Sequence, residues 1–168
     1  MTNLNIALLS LTLFSSQALA LASDSQQPIN IYADSNTVDL NSNTTTFFGN
    51  VVATQGSIKM TGDKLIGIRE KTGEIMISTG NPATFYQMMD DGKPINAQAQ
   101  EIRYVKATNK IILSNNAVIS QLDSSYKAEK ITYDISSRKI EGKKGNQQTR
   151  TVFTPAQFES KKSDKSAD

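Results

Sequence analysis

The feature that most constrains this chain is a similarity between its two halves that holds at one constant offset. Pro28-Ile29-Asn30 aligns with Pro94-Ile95-Asn96, and this spacing, which we call the repeat offset, continues without a gap. Further identities at the repeat offset are Ala33 with Ala99, Asn43 with Asn109, Asn50 with Asn116, Val52 with Val118, Gln55 with Gln121, and Lys64 with Lys130. A fixed period indicates repeated structural units, so we predict two internal repeats of about 66 residues.

Alternation between apolar and polar residues runs through almost every segment that follows Gln27. Ile29 and Ile31 share one face of an extended chain, and Ile131 and Tyr133 do the same. This period of two, together with many β-branched and aromatic residues, is typical of half-buried strands. We therefore predict an all-β fold of many short antiparallel strands, without helices and with one apolar face on each strand.

Turn-forming residues separate the predicted strands at intervals of seven to twelve residues. Gly49-Asn50, Gly62-Asp63 and Gly80-Asn81-Pro82 are interpreted as turns, because Gly and Asn tolerate the backbone conformations that chain reversals require. Two repeats of such a sheet can fold over until their apolar faces meet, which predicts a long and narrow sandwich. No segment caps the first or last strand, so each sheet edge is either protected by twist and charge or available for pairing.

The first twenty residues contain no Lys, Arg, Asp or Glu, and an apolar run extends from Ile6 to Phe14. This run is too short to span a bilayer, and it leads to the small-residue triplet Ala18-Leu19-Ala20. Residues 1–20 are therefore predicted to be a signal peptide that is cleaved after Ala20, with Ala22 as a second cleavage position. The alternative is an apolar N-terminal strand of a cytosolic protein.

The predicted domain organisation places one β-sheet domain between two polar ends. Residues 21–27 are expected to be a flexible N-terminus, and residues 28–158 form the domain. Residues 149–158 are interpreted as the last strand region, interrupted by Pro155. The polar residues 159–168 are predicted to be a disordered tail.

The residue types that most often perform catalysis are missing, because the chain has no His and no Cys. Asp90-Asp91-Gly92 is an acidic cluster, but Asp-Gly pairs are expected in turns for backbone reasons. We predict no enzyme activity, no cofactor and no metal site. The net charge of +2 is spread along the chain without a basic stripe, so nucleic acid is not an expected partner. A binding or scaffold protein is the favoured class.

Several segments resemble the OstA-like family of periplasmic lipopolysaccharide-transport proteins. They are Gly49 to Gly56, the Asp63-Lys64 step, Pro82 to Met88, Asp91 to Pro94, and Asp123 to Tyr133. The similarity extends from about Gln27 to Gln157. One departure is Asn115-Asn116, which stands where the family pattern expects Gly-Asn, and Asn tolerates the positive φ of such a position.

The resemblance implies a β-jellyroll folded like a taco shell, with an apolar groove that shields the acyl chains of lipid A in lipopolysaccharide. The lipid-facing positions that it implies are Ile29, Ile31, Phe85 and Tyr104, with Val38 and Leu40 as neighbours.

The resemblance also implies partners at both sheet edges. The inner-membrane component LptC is expected at an N-terminal edge that comprises Ile29, Asn30, Ile31, Tyr32 and Ala33. The N-terminal domain of the outer-membrane translocon LptD is expected at a C-terminal edge that comprises Thr151, Val152, Phe153 and Thr154. Pairing of the two edges would give a head-to-tail homo-oligomer. The alternative is an exported β-sandwich with a closed core that binds glycans or serves as an envelope scaffold.

Overall fold

The computed structural model of this protein describes residues 24–145 and 148–153. These residues form two short 3-10 helices, Asp24–Gln26 and Lys106–Thr108, and ten strands. The strands are β1 (Ile29–Tyr32), β2 (Ser35–Asp39), β3 (Thr44–Gln55), β4 (Ile58–Glu70), β5 (Gly73–Met88), β6 (Pro94–Val105), β7 (Lys110–Gln121), β8 (Ser124–Asp134), β9 (Lys139–Lys143) and β10 (Arg150–Val152). The predicted all-β class is confirmed. Within the described ranges, no helix has the length and apolar character needed to cross a membrane.

All ten strands belong to one antiparallel sheet. Its order is β1-β3-β4-β5-β6-β7-β8-β10, with β2 also paired to β3 and β9 also paired to β8. Strands β1 and β2 therefore form one edge of the sheet, and β9 and β10 form the other. The predicted signal peptide, its two predicted cleavage positions, residues 154–158 of the predicted last strand region and the predicted polar tail lie outside the described residues.

The inward faces of the strands form a single hydrophobic cluster. Leu65, Ile102 and Ile131 have no solvent exposure, although each lies in a strand of the same sheet. A residue on one face of a sheet reaches such burial only when another layer covers that face. In the described part of the chain the sheet itself supplies this layer, so it folds over and its apolar faces pack against each other.

The predicted turns at Gly49-Asn50, Gly62-Asp63 and Gly80-Asn81-Pro82 differ from the structure, because they lie inside strands. The pairing register shifts at these positions, between Phe48 and Val51 in β3 for example. Gly49 and Asn50 have φ values of 75° and 45°, so they bend the strand as a bulge does and do not reverse it. The strands are consequently longer than expected, up to 16 residues in β5, and each long strand passes from one layer to the other.

The repeat offset reappears in the strand pairing. Val51 pairs with Gly62 between β3 and β4, and their counterparts Ala117 and Ala128 pair between β7 and β8. Asn115-Asn116, at the bend of β7, has φ values of 64° and 56°. Asn115 and Asn116 therefore bend β7 in the same way as Gly49 and Asn50 bend β3.

Candidate functional site: apolar cavities at the two sheet edges

A cavity of about 540 Å³ lies beside the edge formed by β1 and β2, and we call it the N-terminal cavity. Alternate residues of β1 point inward, so Ile29 and Ile31 are half-buried while Asn30 and Tyr32 are exposed. The apolar residues that line the cavity include Ile29, Ile31, Val38, Leu40, Phe47, Ile68, Ile75 and Met76. The cavity is therefore a pocket with apolar side chains at the end of the hydrophobic interior.

The mouth of the N-terminal cavity is open on the side of β2. Every residue of β2 is exposed, and Leu40, which follows this strand, has 84% of its surface in solvent. Large aliphatic side chains gain free energy when they leave water. Val38 and Leu40 are thus apolar surface that a bound apolar ligand or a further strand could cover.

Three of the four charged side chains at the mouth are paired with each other. Glu74 accepts hydrogen bonds from Lys106 Nζ at 3.0 Å and from Arg69 Nη2 at 3.4 Å. The hydrogen bond from Lys106 is the main cause that lowers the pKa of Glu74. Hydrogen bonds from Ser42 and the neighbouring backbone lower the pKa of Asp39 as well. The negative charges of Asp39 and Glu74 therefore balance the positive charges of Arg69 and Lys106 at the mouth of the cavity.

Of the six predicted lipid-facing residues, Ile29, Ile31, Val38 and Leu40 come together at the N-terminal cavity. Phe85 and Tyr104 are placed elsewhere, in the packed interior, with about 1% of each side chain exposed. The Tyr104 hydroxyl lies 3.5 Å from Asn109 Oδ1, and burial raises the pKa of Tyr104 to about 12. The phenol is therefore neutral over the physiological pH range.

A second cavity of about 260 Å³ lies beside β10, and we call it the C-terminal cavity. Its apolar lining consists of Ile95, Ile119, Tyr126, Ile140, Val152 and Phe153. Sequence reasoning did not assign Ile95, Ile119, Tyr126 or Ile140 to a site. A signal was present for Ile95, because it is the equivalent of Ile29 at the repeat offset.

Asp24 holds the N-terminal turn of the described chain against one end of the sheet. Its carboxylate accepts hydrogen bonds from the backbone N–H and the hydroxyl of Ser57, both at 2.7 Å. It also accepts one from Gln87 Nε2 at 2.9 Å. The Gln55 amide donates to the carbonyl oxygen of Gln27 at 2.9 Å. Residues 24–27 are thereby tied to the ends of β3, β4 and β5, next to the N-terminal cavity.

The predicted partner edges coincide with edge strands of the described sheet. Ile29 to Tyr32 form β1, and Ala33 follows it. Thr151 and Val152 lie in β10, and Phe153 follows. Across residues 24–145 and 148–153, no group of three or more Asp or Glu side chains is arranged to hold a metal ion. The features of the described residues that could bind a ligand or a partner are therefore the two cavities with apolar side chains and the two open strand edges.

Comparison with protein families gives a match over residues 30–139 to a family described as LptA/(LptD N-terminal domain) LPS transport protein. The chain is 40% identical over 165 residues to the lipopolysaccharide export system protein LptA of Escherichia coli strain K12, covering 95% of this chain and 89% of that protein. It is 37% identical over 166 residues to LptA of Haemophilus influenzae, covering 96% of both.

A solved structure shows the same fold. It is the crystal structure of LptH from Pseudomonas aeruginosa, described as the LptA-homologous periplasmic component of the lipopolysaccharide transport device. The TM-score is 0.75 at 31% sequence identity, and the alignment covers 79% of this chain and 99% of that one. The predicted OstA-like jellyroll is therefore confirmed.

Proposed function

Because this chain belongs to the LptA/LptD N-terminal domain family of lipopolysaccharide transport proteins, we propose that it carries lipopolysaccharide through the periplasm without catalysing a reaction. The acyl chains of lipid A enter the apolar interior through the N-terminal cavity, while the sugar portion stays in solvent. The observation that supports this proposal most directly is the open cavity of about 540 Å³, lined by Ile29, Ile31, Val38 and Leu40.

The physical need for such a cavity follows from the hydrophobic effect. Each methylene group that leaves water gains about 0.8 kcal/mol, so a twelve-carbon chain gains roughly 8 to 10 kcal/mol before the costs of binding. A lipid with several such chains cannot cross an aqueous compartment at a useful rate unless its chains stay covered. A binding protein can provide that cover without any catalytic group.

The proposal includes a bridge between the two membranes. The edge at β1 and β2 pairs with LptC of the inner-membrane extraction complex, and the edge at β10 pairs with the N-terminal domain of LptD. Copies of this chain join head to tail between them. Strand addition at an open edge supports this arrangement, because backbone hydrogen bonds provide affinity there and an edge-to-edge contact of this type does not close on itself. The predicted signal peptide delivers the chain to the periplasm.

A substitution pair at β1 tests the lipid cavity. Ile31→Glu places a carboxylate inside the N-terminal cavity, whereas Asn30→Glu places the same group one residue away on the exposed face. Because an unpaired charge is strongly disfavoured in apolar surroundings, we expect Ile31→Glu to weaken binding of lipopolysaccharide at least about tenfold. Asn30→Glu should bind like the unsubstituted chain.

The measurement is the affinity for purified lipopolysaccharide and for a fluorescent acyl-chain probe, at a protein concentration at which light scattering reports monomers. Circular dichroism establishes that both variants are folded. Equal affinity of the two variants would exclude the N-terminal cavity as the lipid site.

A closed-core envelope scaffold is the second candidate, and the burial of Phe85 and Tyr104 is the observation that favours it. A closed sandwich would take up negligible acyl-chain probe. The probe measurement on the unsubstituted chain therefore separates the two functions.

A further inference from the structure

The N-terminal edge repeats an arrangement that the chain also contains internally. Strand β1 pairs with β3 in the register Ile29 to Gln55, and β6 pairs with β7 in the register Ile95 to Gln121. Strand β2 follows the same rule, because Ser35 pairs with Phe48 while Glu101 pairs with Ser114. Each pair is related to its counterpart by the repeat offset on both strands. Strands β1 and β2 together therefore occupy the position on β3 that β6 occupies on β7.

The strand at the C-terminal edge, β10, is also equivalent to an internal strand, and that strand is β5. Between β4 and β5, Thr61 pairs with Thr84 and Lys59 pairs with Tyr86. Between β8 and β10, Lys127 pairs with Arg150 and Ser125 pairs with Val152. The repeat offset again separates these pairs on both strands. Strand β10 therefore takes the position on β8 that residues 84–86 of β5 take on β4.

Inside the chain, β5 and β6 are neighbours. Phe85 pairs with Ala97, Tyr86 pairs with Asn96, and Gln87 pairs with Ile95. The two open edges of the described sheet are thus equivalents of two strands that already pair with each other. Strand β10 corresponds to β5, and β1 corresponds to β6.

From this equivalence we infer the register in which two copies of this chain join. Strand β10 of one copy pairs antiparallel with β1 of the next, with Thr151 opposite Ile31, Val152 opposite Asn30 and Phe153 opposite Ile29. The inference rests on the head-to-tail assembly of the proposed function and specifies its contact residue by residue.

The side chains at this junction fit the register. Phe153, with 63% of its surface exposed, would cover the half-buried Ile29 on the inward face. On the outward face, Arg150 would lie opposite Tyr32, which is 68% exposed, and a guanidinium over an aromatic ring is a favourable contact.

The register also joins the two cavities. Ile29 and Ile31 line the N-terminal cavity of one copy, and Thr151 and Phe153 line the C-terminal cavity of the other. Pairing these residues across the junction makes one apolar interior that runs from copy to copy.

Strand β9 sets the limit of the equivalence. Lys64 pairs with Thr79, but its counterpart Lys130 pairs with Lys143 and not with residue 145. The two registers differ because the connections differ in length. Four residues join β8 to β9, whereas two residues join β4 to β5. The inferred register therefore concerns residues 150–153 and 29–32 only.

Cysteine cross-linking tests the register cleanly, because the chain has no Cys of its own. A variant with Val152→Cys is mixed with a variant with Asn30→Cys and oxidised, and the cross-linked dimer is measured by non-reducing electrophoresis. Residues directly opposite in an antiparallel pair have Cα atoms about 5 Å apart, which a disulfide spans. A partner two residues further along lies about 8 Å away, beyond the span of a disulfide.

Two matched controls accompany this pair. The out-of-register control combines Val152→Cys with Tyr32→Cys, which lies two residues away on the same face of β1. The internal control is Tyr86→Cys with Asn96→Cys in one chain, because this pair is the intramolecular equivalent of Val152 and Asn30. We expect the internal pair to close within the chain, and the in-register mixture to give at least about tenfold more dimer than the out-of-register mixture.

The outcomes separate this inference from the proposed function. Oligomers in light scattering that cross-link out of register, or with neither pair, would overturn the inferred register and leave head-to-tail assembly standing. A chain that stays monomeric at all accessible concentrations would overturn both the inferred register and the head-to-tail assembly.

Discussion

Replacing Gly62 with Ala tests the close packing that lets the sheet fold over. Gly62 lies at the bend of β4, where a Cβ atom would come within 2.7 Å of the Thr79 carbonyl oxygen. The same atom would overlap the hydroxyl of Ser78, which is fully buried and donates a hydrogen bond to the Thr61 carbonyl at 3.0 Å. The methyl group has no space unless Ser78 gives up this hydrogen bond and β5 shifts.

The expected loss of stability follows from these two effects. A buried hydroxyl without a partner costs about 1 to 3 kcal/mol, and forcing an extra methyl group into packed structure costs about 1 to 3 kcal/mol more. Gly62→Ala should therefore lower the free energy of unfolding by about 2 to 6 kcal/mol. For a domain of this size the melting temperature should fall by roughly 5 to 25 °C.

Gly67→Ala is the matched control, because Gly67 lies in the same strand with its nearest non-local neighbour, the Thr45 carbonyl oxygen, 3.8 Å from the Cβ position. Its effect should stay within about 1 kcal/mol, since a compatible Gly-to-Ala change mainly restricts the unfolded chain. Ser78→Ala removes the overlapping hydroxyl, so the double variant with Gly62→Ala should lose less stability than the sum of both changes. Urea unfolding of the four variants gives these values. Equal stability of Gly62→Ala and Gly67→Ala would refute the packing argument.

Two further predictions concern the surroundings of the N-terminal cavity. The hydrogen bond from Lys106 lowers the pKa of Glu74, so its contribution to stability is present at neutral pH and is lost as the pH falls below the ordinary Glu value of about 4.3. Glu74→Gln should therefore cost less than about 1 kcal/mol at pH 7 and less still at pH 3.5 in urea unfolding, and an equal loss at both pH values would contradict the assignment. Asp24→Ala removes the acceptor shared by Ser57 and Gln87, and it should lower the free energy of unfolding by about 1 to 3 kcal/mol. An unchanged melting temperature would show that this turn does not stabilise the fold.

Local patterns in the sequence were sufficient to predict the all-β class and the inward faces of the strands. A strand alternates its side chains with a period of two, so Ile29 and Ile31 could be assigned to one face without knowledge of the neighbouring strands. The repeat offset was also visible, because equivalent pairing demands similar residues at equivalent positions. These features depend on short stretches of chain or on a comparison of the chain with itself.

The bends could not be predicted in this way. Gly49-Asn50 suits a two-residue reversal, and it suits a bulge inside a strand equally well, because both require positive φ. Which of the two forms depends on whether β4 continues alongside, and that is a non-local property. The burial of Phe85 and Tyr104 could not be predicted for a similar reason. The sequence shows that a residue faces inward, but it does not show whether the opposite layer of the sheet covers that residue or leaves a cavity beside it.

The comparison of Ile29 with Ile95 shows what creates the apolar surface at the edges. The two residues are identical in type and equivalent in register, yet Ile95 has only 4% of its surface exposed while Ile29 is half-buried. The difference between their strands is that β6 has neighbours on both sides, whereas β1 has one neighbour in the described part of the chain. The exposure of Ile29 is therefore a consequence of the missing strand and not of its own side chain. Any partner that adds one strand in the β5–β6 register is sufficient to bury it, which is why a second copy of this chain is a fitting partner for its own edge.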